Sequence, residues 1–214
     1  MTTPLDHIGA VTRAIESTER DGAAARVLVA TRTYPAPAPD VWAALTDPDR
    51  IARWFLPVSG ELRLGGHYQL EGNAGGTVET CDPPLSFSVT WEYAGDVSWV
   101  SVTLTPDGEH TTLELRHTAH VTPERWAEFG PGATGVGWDM CLLGLALHLT
   151  TGDFRDPSAA AAWLASDEGR ACLTGSSDAW CAAAVTAGDD PAAARAAAAR
   201  TTAAYTGSPP AEGA

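Results

Sequence analysis

The chain has 214 residues, 44% hydrophobic and 19% charged, and 13 Lys and Arg against 27 Asp and Glu give a formal net charge of −14. That length suits one domain of ordinary size plus an appendage, and an acidic chain without a basic run excludes nucleic acid and anionic membrane as natural partners. Cys81, Cys141, Cys172 and Cys181 have neither metal-ligand nor disulfide-framework spacing, so free thiols in a reducing cytoplasm are expected.

The N-terminal stretch has no apolar core of the kind a secretory signal needs, and the longest apolar run, residues 140 to 149, is too short to span a bilayer. A cytoplasmic protein is the expectation. Residues 10 to 18 alternate through Val11, Arg13 and Ile15, Asp21-Gly22 tolerates the positive φ of a tight hairpin turn, and residues 25 to 34 read as the return strand. The Pro-Ala-Pro-Ala-Pro run from Pro35 ends it, because proline donates nothing to a ladder.

Two short helices follow. Pro39 suits a first helical turn, and Asp47-Pro48 is an N-cap followed by proline at the first helical position. Val41, Trp42, Leu45, Ile51, Trp54 and Phe55 fall at helical spacing. From Pro57 to His120 the period changes to two. Gly and Pro pairs punctuate it at short intervals, which predicts an antiparallel meander with one wet and one dry face. Leu85, Phe87, Val89, Trp91 and Tyr93 share the dry face, as do Val100, Val102 and Leu104, and by the same parity Leu113, Leu115 and His117.

Thr122-Pro123-Glu124 opens a further short helix, and after Gly130-Pro131-Gly132 the stretch Gly135 to Thr151 reads as one long buried helix whose only formal charge is Asp139. At about 100° per residue, Trp138, Leu142, Leu145 and Leu149 form one stripe while Met140, Leu143 and Leu147 lie opposite. Beyond it, Asp156-Pro157, Ser166-Asp167, Ser177-Asp178 and Asp190-Pro191 are helix-start signals for alanine-rich segments, which must dock through Trp163, Leu164, Leu173, Trp180, Val185 and Tyr205. The expected organisation is a domain over residues 1–155, a helical extension over 156–205 and a loose tail over 206–214. The extension is expected to cover Leu143 and Leu147, within one subunit or swapped into a homodimer.

This order of elements resembles the START-like or SRPBCC superfamily. The stretch Val41, Trp42, Ala44, Leu45, Thr46, Pro48, Trp54, Phe55 is similar to the V-W-x-A-L/I-T-x-P-x-x-x-x-x-W-F pattern of its branch named after activators of the Hsp90 ATPase. Leu62 to Gly66 resembles that branch's V-G-G turn, and Cys81 to Trp91 its D-P-P-x-x-L-x-F-T-W strand; together the resemblance covers residues 26 to 151. It implies an α+β, helix-grip fold, a curved antiparallel sheet around a long C-terminal helix with a cavity between them. The superfamily hosts ligand carriers, polyketide cyclases and chaperone regulators, so fold alone does not choose among them.

The candidate cavity lining is Trp54, Tyr68, Trp91, His117 and Trp138, aromatic walls with two polar groups. The leading expectation is a binding protein for a small hydrophobic or aromatic molecule. A cyclase or dehydratase using His117 and Tyr68 as acid and base ranks second, and a chaperone-ATPase regulator third. No catalytic set is assigned. His67, His117 and His120 lack the parity for a metal site, and LEGNAGGTVE lacks the helix and Lys-Ser/Thr of a phosphate loop, so no metal, nucleotide or other cofactor is expected. Arg50 and Arg53 read as a solvated helix side.

Overall fold

A computed structural model describes residues 3–152 and 156–207. A short first helix, α1 (Pro4–Gly9), was not foreseen; Thr3 and Asp6 form a reciprocal capping box at its start. The hairpin β1 (Thr12–Arg20) and β2 (Ala23–Tyr34) turns at Asp21 and Gly22, with φ of 52° and 78°. Helices α2 (Ala38–Thr46) and α3 (Pro48–Trp54) follow, and Asp47 caps α3 by accepting from the Asp49 and Arg50 amides. The meander comprises β3 (Val58–Gly60), β4 (His67–Leu70), β5 (Gly75–Asp82), β6 (Ser86–Tyr93), β7 (Asp96–Asp107) and β8 (His110–Ala119). All strands join one eight-stranded sheet in the order β1-β2-β8-β7-β6-β5-β4-β3.

Among the described residues five helices follow: α4 (Pro123–Phe129), α5 (Gly132–Thr151), α6 (Pro157–Leu164), α7 (Asp167–Thr186) and α8 (Pro191–Thr206). Helix α5 begins at Gly132, three residues before the expected start. Ser177-Asp178 starts no helix: α7 runs through it, and the buried Ser177 hydroxyl donates to the Ala198 carbonyl of α8 at 3.0 Å. A capping signal acts only where the chain is free to turn, and here packing against α8 keeps the helix going. Helix α8 runs one residue into the expected tail, to Thr206, Gly207 caps it, and residues 208–214 lie outside the described residues.

Two compact units divide the chain. One takes the residues up to Ala30, His120–Leu143 and those from Asp156 on; the other takes Thr31–Ala119 and Gly144–Arg155.

In the first unit, the extension packs by small residues and a few large ones. Ala194, Ala197, Ala198 and Thr201 form the buried stripe of α8, and their short side chains permit close helix approach. Arg200 donates to the Glu128 and Ala127 carbonyls at 2.6 and 2.8 Å, satisfying the C-terminal end of α4. Trp180 is 1% exposed and lies directly against Gly135, where an added Cβ would meet the indole at 2.3 Å. Gly135→Ala is therefore expected to lower stability by about 1–3 kcal/mol through overpacking. Urea denaturation would measure this, and an unchanged midpoint would mean that Trp180 can shift without cost. Leu143 is buried as expected, but Leu147 is 46% exposed. Leu147 lies in the other unit, so the coverage expected for it is corrected: the last turns of α5 leave that side chain in solvent.

The same unit holds a buried charge network. Asp139 of α5 is 0% exposed, and its Oδ2 accepts from Arg13 Nε at 3.0 Å, from Trp180 Nε1 at 3.1 Å and from Ser176 Oγ, with Arg13 Nη2 in ion-pair contact at 2.9 Å. Arg13 spends further donors on the Val11 and Ile8 carbonyls at 2.8 and 2.9 Å. Burial raises the Asp139 carboxyl above its usual range, outweighing the opposing pull of Arg13, Ser176 and Trp180.

Candidate functional site

The second unit carries the meander. Its cross-strand register assigns the faces: Tyr68 opposes Gly76, Val78 opposes Val89, Val89 opposes Val100, and Val100 opposes His117. Opposed residues share a face and so do residues two apart, so Tyr68, Trp91 and His117 stand on one face with Val89, Val100 and Val102. The parity expected for these three residues is what the strands adopt. Two members of the expected dry set differ, since Leu85 lies outside β6 and is 40% exposed, while Tyr93 at the far end of β6 is 56% exposed. Alternation places a residue on a face, but the end of a hairpin projects past the elements that would cover it. Among the described residues of β4 to β8, the charged group sharing this face is Asp96, beside Tyr93 at the hairpin end.

The polar atoms on this face are engaged by the protein itself. Tyr68 is 9% exposed, and its hydroxyl donates to the Thr90 carbonyl at 2.7 Å. This reach depends on the intervening β5 position being Gly76, since an added Cβ there would press on the Thr90 carbonyl itself, at 2.1 Å, and on a local break in the β5–β6 ladder. The Thr77 amide donates to Thr90 Oγ1 at 2.8 Å instead of to a backbone carbonyl, which releases the Thr90 carbonyl for Tyr68. Burial, with the Glu92 charge adding to it, raises the Tyr68 phenol above its ordinary range.

His117 is 7% exposed and its Nε2 lies 2.9 Å from Ser98 Oγ, while the Ser98 hydroxyl donates to the Trp91 carbonyl at 3.1 Å. A serine has one hydroxyl proton, so His117 Nε2 must carry the hydrogen and donate to Ser98. Burial pushes the imidazole down to about 4, which keeps it neutral at physiological pH. The Trp91 and His117 rings are 6.4 Å apart and tilted by 56°.

Trp54 sits at the end of α3, where its Nε1 donates to the Ala44 carbonyl at 2.9 Å and its ring stacks on Phe55 at 5.5 Å. An added Cβ on Gly144 would meet the Trp54 carbonyl at 2.9 Å, so α5 approaches α3 closely there. Trp138 is 9% exposed and belongs to the first unit. Arg50, expected on a solvated side, pairs with Asp40 at 2.6 Å and lies 3.4 Å from His148 Nε2, whereas Arg53 is exposed. Sequence reasoning passed over Ser98, Thr90 and Gly76, because their importance comes from which strand lies opposite them. Among the described residues no group of three or more His, Cys, Asp or Glu is placed to hold a metal ion.

A separate cleft of about 480 Å³ opens over β3 to β6 and includes Tyr68 among its lining residues, together with His67, Gln69 and Glu92 from the wet side of the sheet. No described helix is long and apolar enough to cross a membrane.

The eight-stranded antiparallel sheet with long helices defines an α+β protein of the helix-grip class. The sequence matches the family described as Activator of Hsp90 ATPase homolog 1-like protein over residues 35–150, and the chain belongs to that family. Among solved structures it is similar to CalU16 from Micromonospora echinospora, at 32% identity over 81% of this chain and 98% of CalU16, with a TM-score of 0.66. The solution structure of CalU16 agrees, with 34% identity and a TM-score of 0.68 over 84% of this chain and 97% of CalU16. DynU16, a protein of the dynemicin biosynthetic locus, is 26% identical over 59% of this chain and 48% of DynU16, with a TM-score of 0.54. No curated protein matches the chain by sequence.

Proposed function

We propose that the protein binds a small, uncharged hydrophobic or aromatic molecule against the sheet face that carries Tyr68, Trp91 and His117, with Trp54 as a further aromatic wall. The observation that carries this reading is the state of the polar groups that Tyr68, His117 and Trp54 bring: each hydrogen-bonds within the protein, His117 is neutral, and among β4 to β8 the charged group sharing the face lies at its hairpin end. The part of the face built by Tyr68, Trp91 and His117 therefore offers aromatic contact and little to a carboxylate or an ammonium. It also favours binding over the cyclase or dehydratase reading. A general acid or base works best with a pKa near the operating pH, and here burial moves the imidazole well below neutrality and the phenol above its already high value. The place of DynU16 in a biosynthetic locus is in keeping with a ligand of biosynthetic origin.

Titration with the neutral dye Nile red tests the proposal. Saturable fluorescence enhancement is expected, and Trp91→Ala should weaken it by about tenfold, equivalent to about 1.4 kcal/mol. A dye affinity unchanged in a folded Trp91→Ala protein would remove this face from consideration.

A further inference from the structure

On the opposite, wet face of the sheet, register builds one continuous polar row. Ser59 opposes Gln69, Gln69 opposes Gly75, and Gly75 opposes Glu92, so four strands contribute to a line that crosses the cleft of about 480 Å³. Gly75 leaves the middle of the row without a side chain, so Gln69 and Glu92 look across it from two strands apart, roughly 9–10 Å. The hydrogen bonds around them orient both groups. The Gln69 amide nitrogen donates to the Leu70 and Asn73 carbonyls, each at 2.8 Å. Both partners are acceptors, so the amide cannot be flipped, and Gln69 Oε1 is turned toward Gly75, where an added Cβ would meet it at 2.6 Å. The Thr90 hydroxyl receives the Thr77 amide and donates to Glu92 Oε1 at 2.9 Å, which fixes the carboxylate and leaves Oε2 for a ligand.

Gln69 Oε1 and Glu92 Oε2 are thus both acceptors and one is an anion, while His67, also in the lining, has its Nδ1 3.2 Å from Thr77 Oγ1. We propose that this cleft is a second binding site, selective for an organic cation with N–H donors, an ammonium or guanidinium group held between Glu92 Oε2 and Gln69 Oε1. Charge-assisted hydrogen bonds to a carboxylate supply the attraction, and the neighbouring amide oxygen selects a donor-bearing cation over a fully alkylated one. The ligating groups, Glu92 and Gln69, stand on the face opposite the proposed hydrophobic ligand; Tyr68 also lines the cleft but supplies no ligating atom, so either reading can fail without the other.

The test is an amide-resolved NMR titration of the full chain with butylammonium chloride at constant ionic strength, with tetramethylammonium and 1-butanol as comparison ligands. Saturable shifts confined to Gln69, Gly75, Gly76 and their neighbours are expected with butylammonium, and neither comparison ligand should saturate. Glu92→Gln should weaken the response at least tenfold, and Gln69→Leu should weaken it while narrowing the preference over tetramethylammonium. Equal response to tetramethylammonium, shifts spread over the whole acidic surface, or an undiminished response in Glu92→Gln would each overturn the proposal.

Discussion

Replacing Asp139 with alanine is expected to destabilise the protein by about 3–5 kcal/mol, the range for breaking one side of a buried ion pair. The reason lies in what remains. Arg13, whose side chain is 6% exposed, would keep its charge with its carboxylate partner gone, and Ser176 and Trp180 would lose a shared acceptor. Because β1, α5 and α7 all meet at this carboxylate, the loss should appear as a lower urea midpoint together with weaker near-ultraviolet dichroism from Trp180. Arg13→Met combined with Asp139→Leu should lose less than the sum of the separate changes, since an apolar pair leaves no buried charge without a partner. A loss below about 1 kcal/mol in Asp139→Ala would mean that solvent reaches Arg13 readily, contrary to its burial.

Acidification should reveal His117. Its folded value is lowered from 6.5 to about 4 by burial, so between these values the unfolded chain binds more protons than the folded one, and stability must fall as the pH drops. The stabilisation is present above pH 6.5 and lost as the pH approaches about 4, and at about 1.4 kcal/mol per pH unit the window is worth about 3 kcal/mol. His117→Gln retains an N–H donor for Ser98 and carries no titrating group. Its stability, measured by denaturant melts from pH 7 to pH 4, should therefore decline by about 3 kcal/mol less than that of the parent. Parallel decline in the two proteins would show that His117 protonates freely in the folded state.

Much of this architecture was legible in the chain because the signals are local. The Asp21-Gly22 turn, the Asp47 cap and the alternation through Val89, Trp91 and Val100 each depend on residues a few positions apart. Strand parity also put Tyr68, Trp91 and His117 on one face, since a period of two leaves no other arrangement once the strands form. The long α5 was visible as an apolar run, and Asp139 stood out within it as its acidic residue. Local signals failed where packing competed with them. Ser177-Asp178 has the composition of a helix start, yet α7 continues because the serine hydroxyl finds the Ala198 carbonyl.

The partners of the buried groups were decided by the tertiary structure alone. Arg13 and Asp139 are 126 positions apart, and nothing in the pattern around either residue names the other. The same holds for the acid–base question. Whether His117 and Tyr68 could exchange protons with a ligand depends on Ser98, one strand away from His117, and Thr90, two strands away from Tyr68, which are reached only after the register is set. Sequence determines which residues face inward, because chain geometry repeats every two or 3.6 residues. Solvation, hydrogen-bond partners and hence protonation depend on atoms brought together from distant segments, and these only folding supplies.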